Sequence, residues 1–592
     1  MRLSLWISAA CILAIGGVFL PEFYITAFTY IGLYALVALG LVLLTGVAGI
    51  TSFGQAAFVG LGAYTTAVLT TYLAVSPWLG LIAALLVVVT SAGLLGVVTL
   101  RLSGHYLPLA TLGWGVSLYY VFGNLDMLGA HTGMDGIPPI SIAGFAADTT
   151  RSFYYIVWAV CLGACVLFSN MLDSRAGRAM RAIKNAKITA ESFGVDTARF
   201  KMILFIYAAV LAGISGWLYA HFLRFVNPSP FGLHMGIEYL FMVVVGGAGQ
   251  VWGALLGAGI ITLMKDYLQD ILPRLVGQSG NFEVIVFGAL IIVLLQTCRE
   301  QGVTSLLARF TPPFVSGPAQ AESMTDSLAP RPRLRTRKDG EAILRVDGIS
   351  KSFGGLQALK DIGFDVFPRE VVALIGPNGA GKSTLFNTVT GLLPADAGQV
   401  WVNGEDATKR KAREIVSMGV ARTFQHVQLV PELTVLENAM LGAHQRSKSG
   451  SIKAALRLER DEEAQIRAEA LRQLARVNLL ELQHEPAGNL ALGQQRVLEM
   501  ARALCADPDI MLLDEPAAGL RFREKQDLAQ LISELRDSGV SVLLVEHDMD
   551  FVMNLADRIV VLNFGEKLLE GVPEEVRANP SVVEAYLGSE AA

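Results

Sequence analysis

Charged residues are missing from long stretches of this 592-residue sequence. No Asp, Glu, Lys or Arg occurs in residues 23–100. With 53% hydrophobic residues and a mean hydropathy of +0.48, the chain is too apolar for an average soluble protein, so part of it is expected to lie in a membrane. The net charge of -5 is small for this length, and no nucleic-acid partner is expected.

Cysteine is scarce as well, with five residues in the chain. Their spacing does not match that of metal ligands, and most of them lie in or beside apolar runs. We therefore interpret them as small hydrophobic residues. They are Cys11, Cys161, Cys165, Cys298 and Cys505.

Apolar runs long enough to cross about 30 Å of hydrocarbon occupy residues 1–300. The first run, 3–20, follows Arg2 as in a secretory signal peptide. It ends in Pro21 and Glu22 and not in a small-residue cleavage site, so we predict a first transmembrane helix. The other runs lie near residues 26–46, 54–75, 78–100, 105–124, 153–171, 202–223, 237–264 and 282–298.

The segment 171–202 is rich in basic residues and holds only three acidic ones. By the positive-inside rule this segment is cytoplasmic, and the six runs before it place the N-terminus in the cytoplasm too. The basic residues are Arg175, Arg178, Arg181, Lys184, Lys187, Arg199 and Lys201.

The composition changes after the last apolar run. Prolines and basic residues cannot bury a core, so residues 301–341 are predicted as a cytoplasmic linker. Beyond the linker, short apolar runs such as 371–375 and 542–545 alternate with helical patterns, as in an α/β domain with a parallel sheet, and 447–485 reads as a helical subdomain. We therefore predict a polytopic α-helical transmembrane domain at 1–300 and a nucleotide-binding domain at 342–592.

A glycine-rich sequence follows the run 371–375 and matches the P-loop spacing. In such a loop, backbone N–H groups surround phosphates at a helix N-terminus. Lys382 is expected to reach the terminal phosphates of ATP, and the Ser383 hydroxyl to bind Mg²⁺. The motif consists of Gly376, Pro377, Asn378, Gly379, Ala380, Gly381, Lys382, Ser383 and Thr384.

A carboxylate for the metal ion is expected at the end of a second buried strand. The apolar run 510–513 is followed by Asp514 and Glu515. Asp514 is predicted to hold Mg²⁺, directly or through water. Glu515 is predicted to orient and deprotonate the water that attacks ATP.

The glycines of 246–250 decide how many times the chain crosses the membrane. Three crossings after the basic segment would leave the P-loop outside the cell. The conflict disappears if these glycines divide the run 237–264 into two short helices, so about ten membrane segments are predicted. Close helix packing is the alternative interpretation of the same glycines.

Four further features resemble those of ABC transporter ATPases. The sequence LALGQ at 490–494 resembles the signature motif, which in that family caps ATP held by the opposite subunit. Gln425 resembles the Q-loop glutamine that links the metal site to the membrane domain, and His547 resembles the switch histidine. Phe353 resembles the aromatic residue that stacks on adenine. The resemblance implies ATP-binding roles for Leu490, Ala491, Gly493 and Gln494, and places Gln425 beside Mg²⁺.

Two residues depart from that family pattern. Ala491 stands where the signature usually carries Ser, a variant familiar among amino-acid importers. Arg521 stands where the loop after Glu515 usually ends in Asp or Asn. Arg521 could weaken one ATP site, while hydrolysis is still expected.

The membrane half resembles the permeases of branched-chain amino acid importers of the Liv type. The likeness rests on 52–58 (SFGQAAF), 132–136 (TGMDG) and 246–253 (GGAGQVWG). The sequence AESFG at 190–194 resembles the importer loop that docks into the ATPase, with an ordinary positive-inside loop as the alternative. The nucleotide half is similar to the Liv ATPase subunit over nearly its whole length, including PAAGL at 516–520, ANP at 578–580 and AYLG at 585–588.

This resemblance implies ATP-driven import of branched-chain amino acids or related small polar solutes across the inner (plasma) membrane. One P-loop and one signature make the chain half of a transporter. The expected partners are a second permease and a second ATPase subunit, or a second copy of the chain, together with an extracytoplasmic solute-binding protein.

Two other functions stay open. An ABC exporter half-transporter fits the order of membrane domain before ATPase, although exporters use six long helices. An ATP-gated regulatory or sensor membrane protein with little turnover would fit Arg521. The spans 23–100 and 239–264 offer no charged ligand for an amino acid, and Glu238 and Asp135, near membrane edges, are assigned packing or capping roles.

Overall fold

The computed structural model describes residues 2–100, 106–142, 144–276, 283–298, 302–304 and 340–587. Most of the predicted linker, 301–341, and Gly588 of the C-terminal motif lie outside the described residues. The chain divides into two compact units. Unit 1 comprises Met1–Met171 and Ala198–Val315, and unit 2 comprises Leu172–Thr197 and Ser316–Ala592.

Unit 1 is built mainly from apolar α-helices, because its long runs offer no polar face for a soluble surface. A short hairpin joins β1 (Ser141–Ile142) to β2 (Phe145–Ala146), and a π-helical turn, Val42–Val47, extends the second helix. The helices up to residue 298, of which α7 and α8 belong to unit 2, are α1 (Arg2–Phe19), α2 (Glu22–Leu41), α3 (Gln55–Tyr72), α4 (Pro77–Thr99), α5 (Tyr106–Asn124), α6 (Thr150–Leu172), α7 (Arg175–Asn185), α8 (Lys187–Ser192), α9 (Thr197–Leu223), α10 (Leu233–Gly246), α11 (Val251–Val276) and α12 (Glu283–Cys298).

Within the described residues, five helices are long and apolar enough to cross a membrane. In the first of them, Glu22–Val47, 83% of an 18-residue apolar window is buried, whereas the buried shares of the corresponding windows in α4 and α6 are 28% and 33%. We infer that α2 lies at the centre of unit 1 and that α4 and α6 present apolar side chains outward. The other candidate spans are Thr197–Leu223 and Val251–Gln269, and the shorter apolar helices are Trp6–Phe19 and Leu233–Gly246.

The predicted helix break at 246–250 is confirmed. Helix α10 ends at Gly246, Gly247 has a positive φ of 109°, and α11 begins at Val251. The second helix is not short as predicted, since α11 has 26 residues. Gly246 also allows close packing, because a Cβ at Gly246 would lie 1.8 Å from the carbonyl oxygen of Gly253.

Unit 2 contains the predicted parallel sheet. The order of its six strands is β12-β11-β5-β10-β9-β8, with β12 antiparallel at one edge. A separate antiparallel sheet, β4-β3-β6-β7, was not predicted. The strands are β3 (Leu344–Phe353), β4 (Leu356–Val366), β5 (Val371–Ile375), β6 (Ala397–Val402), β7 (Glu405–Asp406), β8 (Val420–Arg422), β9 (Ile510–Asp514), β10 (Ser541–Val545), β11 (Arg558–Asn563) and β12 (Glu566–Gly571).

Helices cover the sheets of unit 2, and the predicted helical subdomain at 447–485 is present as α16 and α17. The helices are α13 (Lys382–Val389), α14 (Ala412–Ile415), α15 (Val435–Gly442), α16 (Ser451–Ala455), α17 (Arg460–Arg476), α18 (Leu492–Leu504), α19 (Phe522–Asp537), α20 (Met549–Leu555), α21 (Pro573–Ala578) and α22 (Pro580–Leu587).

The central strands place the candidate site at one edge of the sheet. Every residue of β5, β9 and β10 is buried, as expected for strands covered on both faces. Because neighbouring parallel strands end at the same edge, the sequences after β5, β9 and β10 come together there. These sequences are the P-loop, the segment that starts at Glu515, and the segment that contains His547.

Candidate functional site

The P-loop is a tight turn between β5 and α13, and three of its glycines have positive φ angles. The values are 152° at Gly376, 84° at Gly379 and 99° at Gly381. At Gly376 a Cβ would lie only 2.2 Å from the carbonyl oxygen of Leu562, so a side chain cannot be accommodated. The backbone is thus free to approach a phosphate group closely at the start of α13.

Lys382 lies across this turn. Its Nζ donates hydrogen bonds to the carbonyl oxygens of Gly376 (2.6 Å) and Pro377 (2.9 Å). Burial lowers the pKa of the Lys382 ammonium, and the nearby Glu515 and Asp514 carboxylates act in the opposite direction. The ammonium group is therefore held at the loop where a phosphate would bind.

Asp514 ends β9 and is buried. Its Oδ2 accepts a hydrogen bond from Nη2 of Arg422 at 3.0 Å. Arg422 also donates through Nη1 to Asn387 Oδ1 (2.7 Å) and Thr390 Oγ1 (2.9 Å) on and after α13. Burial raises the pKa of the Asp514 carboxyl, and the Arg422 guanidinium opposes that rise. Arg422 thereby ties β8, β9 and the helix after the P-loop together.

Arg422 was missed by the sequence reasoning. The available signal was a charged residue in the short strand β8, all of which is buried. A buried guanidinium needs a carboxylate partner, and that partner lies 92 residues away in the sequence.

Glu515 has a left-handed backbone conformation, with φ of 48°. This conformation costs a non-glycine residue about 1–3 kcal/mol and persists only when its surroundings impose it. Here the Glu515 N–H donates to the carbonyl oxygen of Val545 (2.9 Å), and the Glu515 carbonyl accepts from Nη1 of Arg496 (2.9 Å). The two bonds fix the direction of the Glu515 side chain.

Three residues singled out in the sequence meet at that side chain. Gln425 Nε2 donates to Glu515 Oε2 at 3.1 Å, and His547 Nδ1 lies 4.0 Å from the same oxygen. The His547 side chain is 63% exposed, and the Glu515 side chain is 23% exposed. A carboxylate with a neighbouring imidazole and amide, open to solvent, has the composition needed to bind and deprotonate a water molecule.

Glu546 holds the segments around Glu515 and His547 together, and the sequence reasoning also missed it. Its side chain is 1% exposed, Oε1 accepts the N–H of Ala517 (2.7 Å), and Oε2 accepts the N–H of His547 (3.1 Å). Burial raises the pKa of the Glu546 carboxyl, although these backbone bonds oppose the rise. Glu546 thus connects the turn after Glu515 to the segment that carries His547.

The donor set predicted for Mg²⁺ consists of oxygen atoms, which this ion prefers. Ser383 is exposed in the first turn of α13 and offers a hydroxyl, while Asp514 offers a carboxylate. Gln425 uses its amide nitrogen on Glu515, so its amide oxygen is the atom it would present to a cation. Within the described ranges, no group of three or more His, Cys, Asp or Glu residues is arranged to hold a metal ion.

The signature residues 490–494 lie at the start of α18 and make local contacts. The Ala491 N–H donates to Gln494 Oε1 at 3.1 Å, and Ala491 is exposed. None of the hydrogen bonds among the described residues joins this segment to the P-loop. Arg496, later on the same helix, donates to the carbonyl oxygens of Glu515 (2.9 Å) and Gln425 (3.4 Å). Ala491 and Gln494 of the signature therefore face solvent, Leu490 is buried in the apolar core, and the helix that follows supports the catalytic candidates.

Phe353 lies at the end of β3, and its side chain is 49% exposed. An exposed aromatic ring is unusual on a strand and offers a face on which a base can stack. Arg521 is also exposed, at the start of α19, where its N–H donates to Glu524 Oε2 at 2.8 Å. Nothing in the described contacts connects Arg521 to the residues around Glu515.

The segment 172–197, which contains the sequence AESFG (190–194) that resembles a docking loop, folds as part of unit 2. Arg178 is 2% exposed and forms an ion pair with Glu463 of α17, with 3.2 Å between Nη2 and Oε2. Phe193 is 1% exposed within the apolar core, and the Arg502 guanidinium lies 4.8 Å from its ring centre. The loop is thus anchored by a charged contact at one end and an aromatic side chain at the other.

Three sequence families match the chain. One is described as "Branched-chain amino acid transport system / permease component" and matches residues 23–295. Another, "ABC transporter", matches residues 359–518. The third, "Branched-chain amino acid ATP-binding cassette transporter", matches residues 566–592.

Curated relatives match the C-terminal part of the chain. The high-affinity branched-chain amino acid transport ATP-binding protein LivG of Escherichia coli (strain K12) is 44% identical over 251 residues, which are 42% of this chain and 98% of LivG. BraF of Pseudomonas aeruginosa, with the same description, is 43% identical over 249 residues, 42% of this chain and 98% of BraF. A crystal structure of a nucleotide-free ATP-binding cassette from an ABC transporter is 34% identical in sequence, with a TM-score of 0.38. The match covers 42% of this chain and 99% of the cassette.

Proposed function

This chain belongs to the branched-chain amino acid ABC transporter family, with a permease and an ATPase fused in one polypeptide, and we propose that it imports branched-chain amino acids or related small polar solutes across the inner membrane. It is an ATP-binding, ATP-hydrolysing membrane protein. We infer the import direction from the segment 172–197, which contains the importer-like sequence AESFG and folds as part of the ATPase unit. This observation supports the proposal that ATP hydrolysis is coupled to transport by the membrane part of the chain.

The site residues have the following proposed roles. The P-loop, 376–384, holds the phosphates of ATP, with Lys382 on the terminal phosphates, and Phe353 stacks on adenine. Mg²⁺, held by Ser383, Asp514 and Gln425, would screen the phosphate charge. Glu515 deprotonates the attacking water, and His547 binds the γ-phosphate. The signature residues Leu490, Ala491, Gly493 and Gln494 complete the ATP site of a partner ATPase, with Ala491 and Gln494 exposed and Leu490 buried beneath them.

The membrane arrangement is proposed from charge and helix parity. We place a transmembrane domain of about ten segments at residues 1–300, a cytoplasmic linker at 301–341 and the ATPase at 342–592. The N-terminus and the ATPase lie in the cytoplasm. The partners are a second permease and a second ATPase, or a second copy of the chain, with an extracytoplasmic solute-binding protein.

An uptake experiment tests the proposed direction. The chain, reconstituted with its partner subunits in proteoliposomes that enclose ATP, should accumulate radiolabelled leucine when the solute-binding protein is outside. Accumulation should stop when ATP is replaced by ADP. Leucine movement only away from the ATP-containing side would identify an exporter. ATP hydrolysis without any movement of solute would identify a regulatory or sensor protein.

Phe193→Ala is expected to uncouple ATP use from transport. Removing a buried aromatic side chain costs about 3–5 kcal/mol of local packing, so loop 172–197 should lose its anchor. Uptake of leucine should fall at least about tenfold, while ATP binding, measured with a fluorescent nucleotide, stays unchanged. Ile188→Ala, in the exposed part of the same loop, is the matched control. Equal uptake by the Phe193→Ala variant and the wild type would contradict the coupling role.

A further inference from the structure

A cavity of about 160 Å³ lies in unit 1 between α2, α10 and α11. Its wall combines aromatic side chains from α2 with charged and polar side chains from the other two helices. An apolar cavity of about 150 Å³ is known to hold one benzene molecule, so this space admits a ligand of the size of a small amino acid. Its lining residues include Tyr30, Tyr34, Glu238, Met242, Thr262 and Lys265.

An ion pair lies on one side of the cavity. Lys265 Nζ is 2.7 Å from Glu238 Oε1, and the two side chains are 28% and 5% exposed. The imidazole of His234, one turn earlier on α10, approaches the same oxygen at 3.0 Å. Lys265 belongs to the candidate membrane span Val251–Gln269, where charged side chains are costly and mark ligand or ion pathways.

An unpaired hydroxyl lies beside the ion pair. Thr262 is 8% exposed and lines the cavity, and its Oγ1 has no hydrogen-bond partner in the described part of the chain. Threonines in membrane helices usually bond to the carbonyl four residues earlier, as Thr29 does to Ile25 at 2.7 Å. Thr262 lies one turn before Lys265, so its free hydroxyl and the ammonium share one face of α11.

Aromatic and apolar side chains also line the cavity. The rings of Tyr30 and Tyr34 lie 5.8 Å apart, and Met242 contributes an apolar side chain from α10. A ligand here would meet the charged side chains of Glu238, Lys265 and Asp266 and the hydroxyl of Thr262, together with these apolar groups. That combination matches an α-amino acid with an apolar side chain.

We propose that this cavity binds a zwitterionic amino acid within the permease, a proposal that rests on the function proposed above. The ligand ammonium pairs with Glu238, and the ligand carboxylate pairs with Lys265 and accepts a hydrogen bond from Thr262. The ligand exchanges one ion pair for two without changing the net charge of the cavity. Its side chain packs on Tyr30, Tyr34 and Met242.

Binding of radiolabelled leucine tests the proposal directly. The chain and its partner subunits are placed in nanodiscs without the solute-binding protein, so that only the permease can bind. Lys265→Met and Glu238→Gln should each weaken leucine binding about tenfold or more, and Thr262→Val should weaken it less. Asp135→Asn, which alters an exposed carboxylate outside the cavity, is the control.

Two further measurements separate ligand contact from a structural role. Leucinamide lacks the carboxylate, so Lys265→Met should bind it as tightly as the wild type does. The double variant E238Q/K265M leaves no buried charge unpaired and should unfold at the wild-type temperature, yet bind leucine weakly. Unchanged leucine affinity in the double variant, or equal losses for leucine and leucinamide in Lys265→Met, would overturn the cavity proposal.

The same preparation distinguishes failure of this proposal from failure of the proposed function. Uptake of leucine by the wild type, together with unchanged leucine affinity in every cavity variant, would refute the cavity proposal and leave the proposed transport function intact. Absence of any leucine binding and uptake in the wild type would refute both the cavity proposal and the proposed function.

Discussion

Glu515→Gln is expected to slow ATP hydrolysis by about a hundredfold to ten-thousandfold while leaving ATP binding unchanged. Glutamine has nearly the shape of glutamate but cannot accept a proton at neutral pH. A positioned general base contributes that factor to a hydrolytic rate, so its removal should affect the chemical step. The P-loop, which holds the nucleotide, is left intact.

The geometry around Glu515 makes this loss specific. The strained backbone is held by the Glu515 N–H to Val545 and by Arg496 on the Glu515 carbonyl, and neither bond involves the side chain. Gln425 Nε2 donates to Glu515 Oε2, and an amide oxygen at position 515 can accept the same bond. The substitution therefore changes proton transfer without a reason for the local structure to rearrange.

Phosphate release and fluorescent-nucleotide titration on the reconstituted transporter measure the two effects separately. Glu574→Gln, which changes an exposed carboxylate of the same unit, controls for the loss of one negative charge. Hydrolysis within about threefold of the wild-type rate, in the Glu515→Gln variant, would show that another group deprotonates the water.

The nucleotide motif was predictable because its parts are local in the sequence. A buried strand, a glycine turn and a helix follow one another within 371–389, and Asp514 and Glu515 stand directly after β9. Each segment has its own signal, and the rule that parallel strands end at one edge brings the segments together. The structure brings Gln425 and His547 to the side chain of Glu515.

The contacts that sequence reasoning missed all join residues that are far apart. Arg422 finds Asp514 across 92 residues, and Glu546 finds Ala517 across 29. No local pattern states which buried charge will pair with which, because the pairing depends on strand order.

In the membrane half, the hydrophobic runs predicted where the helices lie along the sequence. They did not predict which side chains of different helices contact each other. Lys265 stands just beyond the predicted run 237–264, and its partner Glu238 is 27 residues away across the break at Gly247. Read along the chain, Glu238 was assigned a packing or capping role. Only the folding of α11 back against α10 reveals the shared cavity.

Lys382→Met is expected to weaken ATP binding by about tenfold to a hundredfold, with hydrolysis reduced at least as much. A hydrogen bond between charged groups contributes about 1.5–3 kcal/mol, which corresponds to this range of affinity. Methionine keeps most of the apolar stem and removes the ammonium, so the packing of α13 against the sheet should be preserved.

The surroundings of Lys382 explain why its charge matters. Its ammonium is held by two P-loop carbonyl oxygens, and burial already lowers its pKa by penalising the charged form. A triphosphate would replace lost hydration with negative charge and favour the ammonium again. Without the ammonium, its positive charge no longer offsets the carboxylates of Asp514 and Glu515 beside the phosphates.

Titration with a fluorescent ATP analogue measures the loss, and the same titration with Lys409→Met, an exposed lysine of unit 2, provides the control. Thermal unfolding without nucleotide should show similar midpoints for the wild type and both variants. Lys409→Met alters an exposed side chain, and Lys382→Met removes only contacts within the P-loop. Added ATP should raise the midpoint of the wild type and of Lys409→Met, because a ligand that binds only the folded state stabilises it. An equal rise in Lys382→Met would mean that the glycine turn alone holds the phosphates, and Lys382 would then have to act later, on the charge that develops as the γ-phosphate departs.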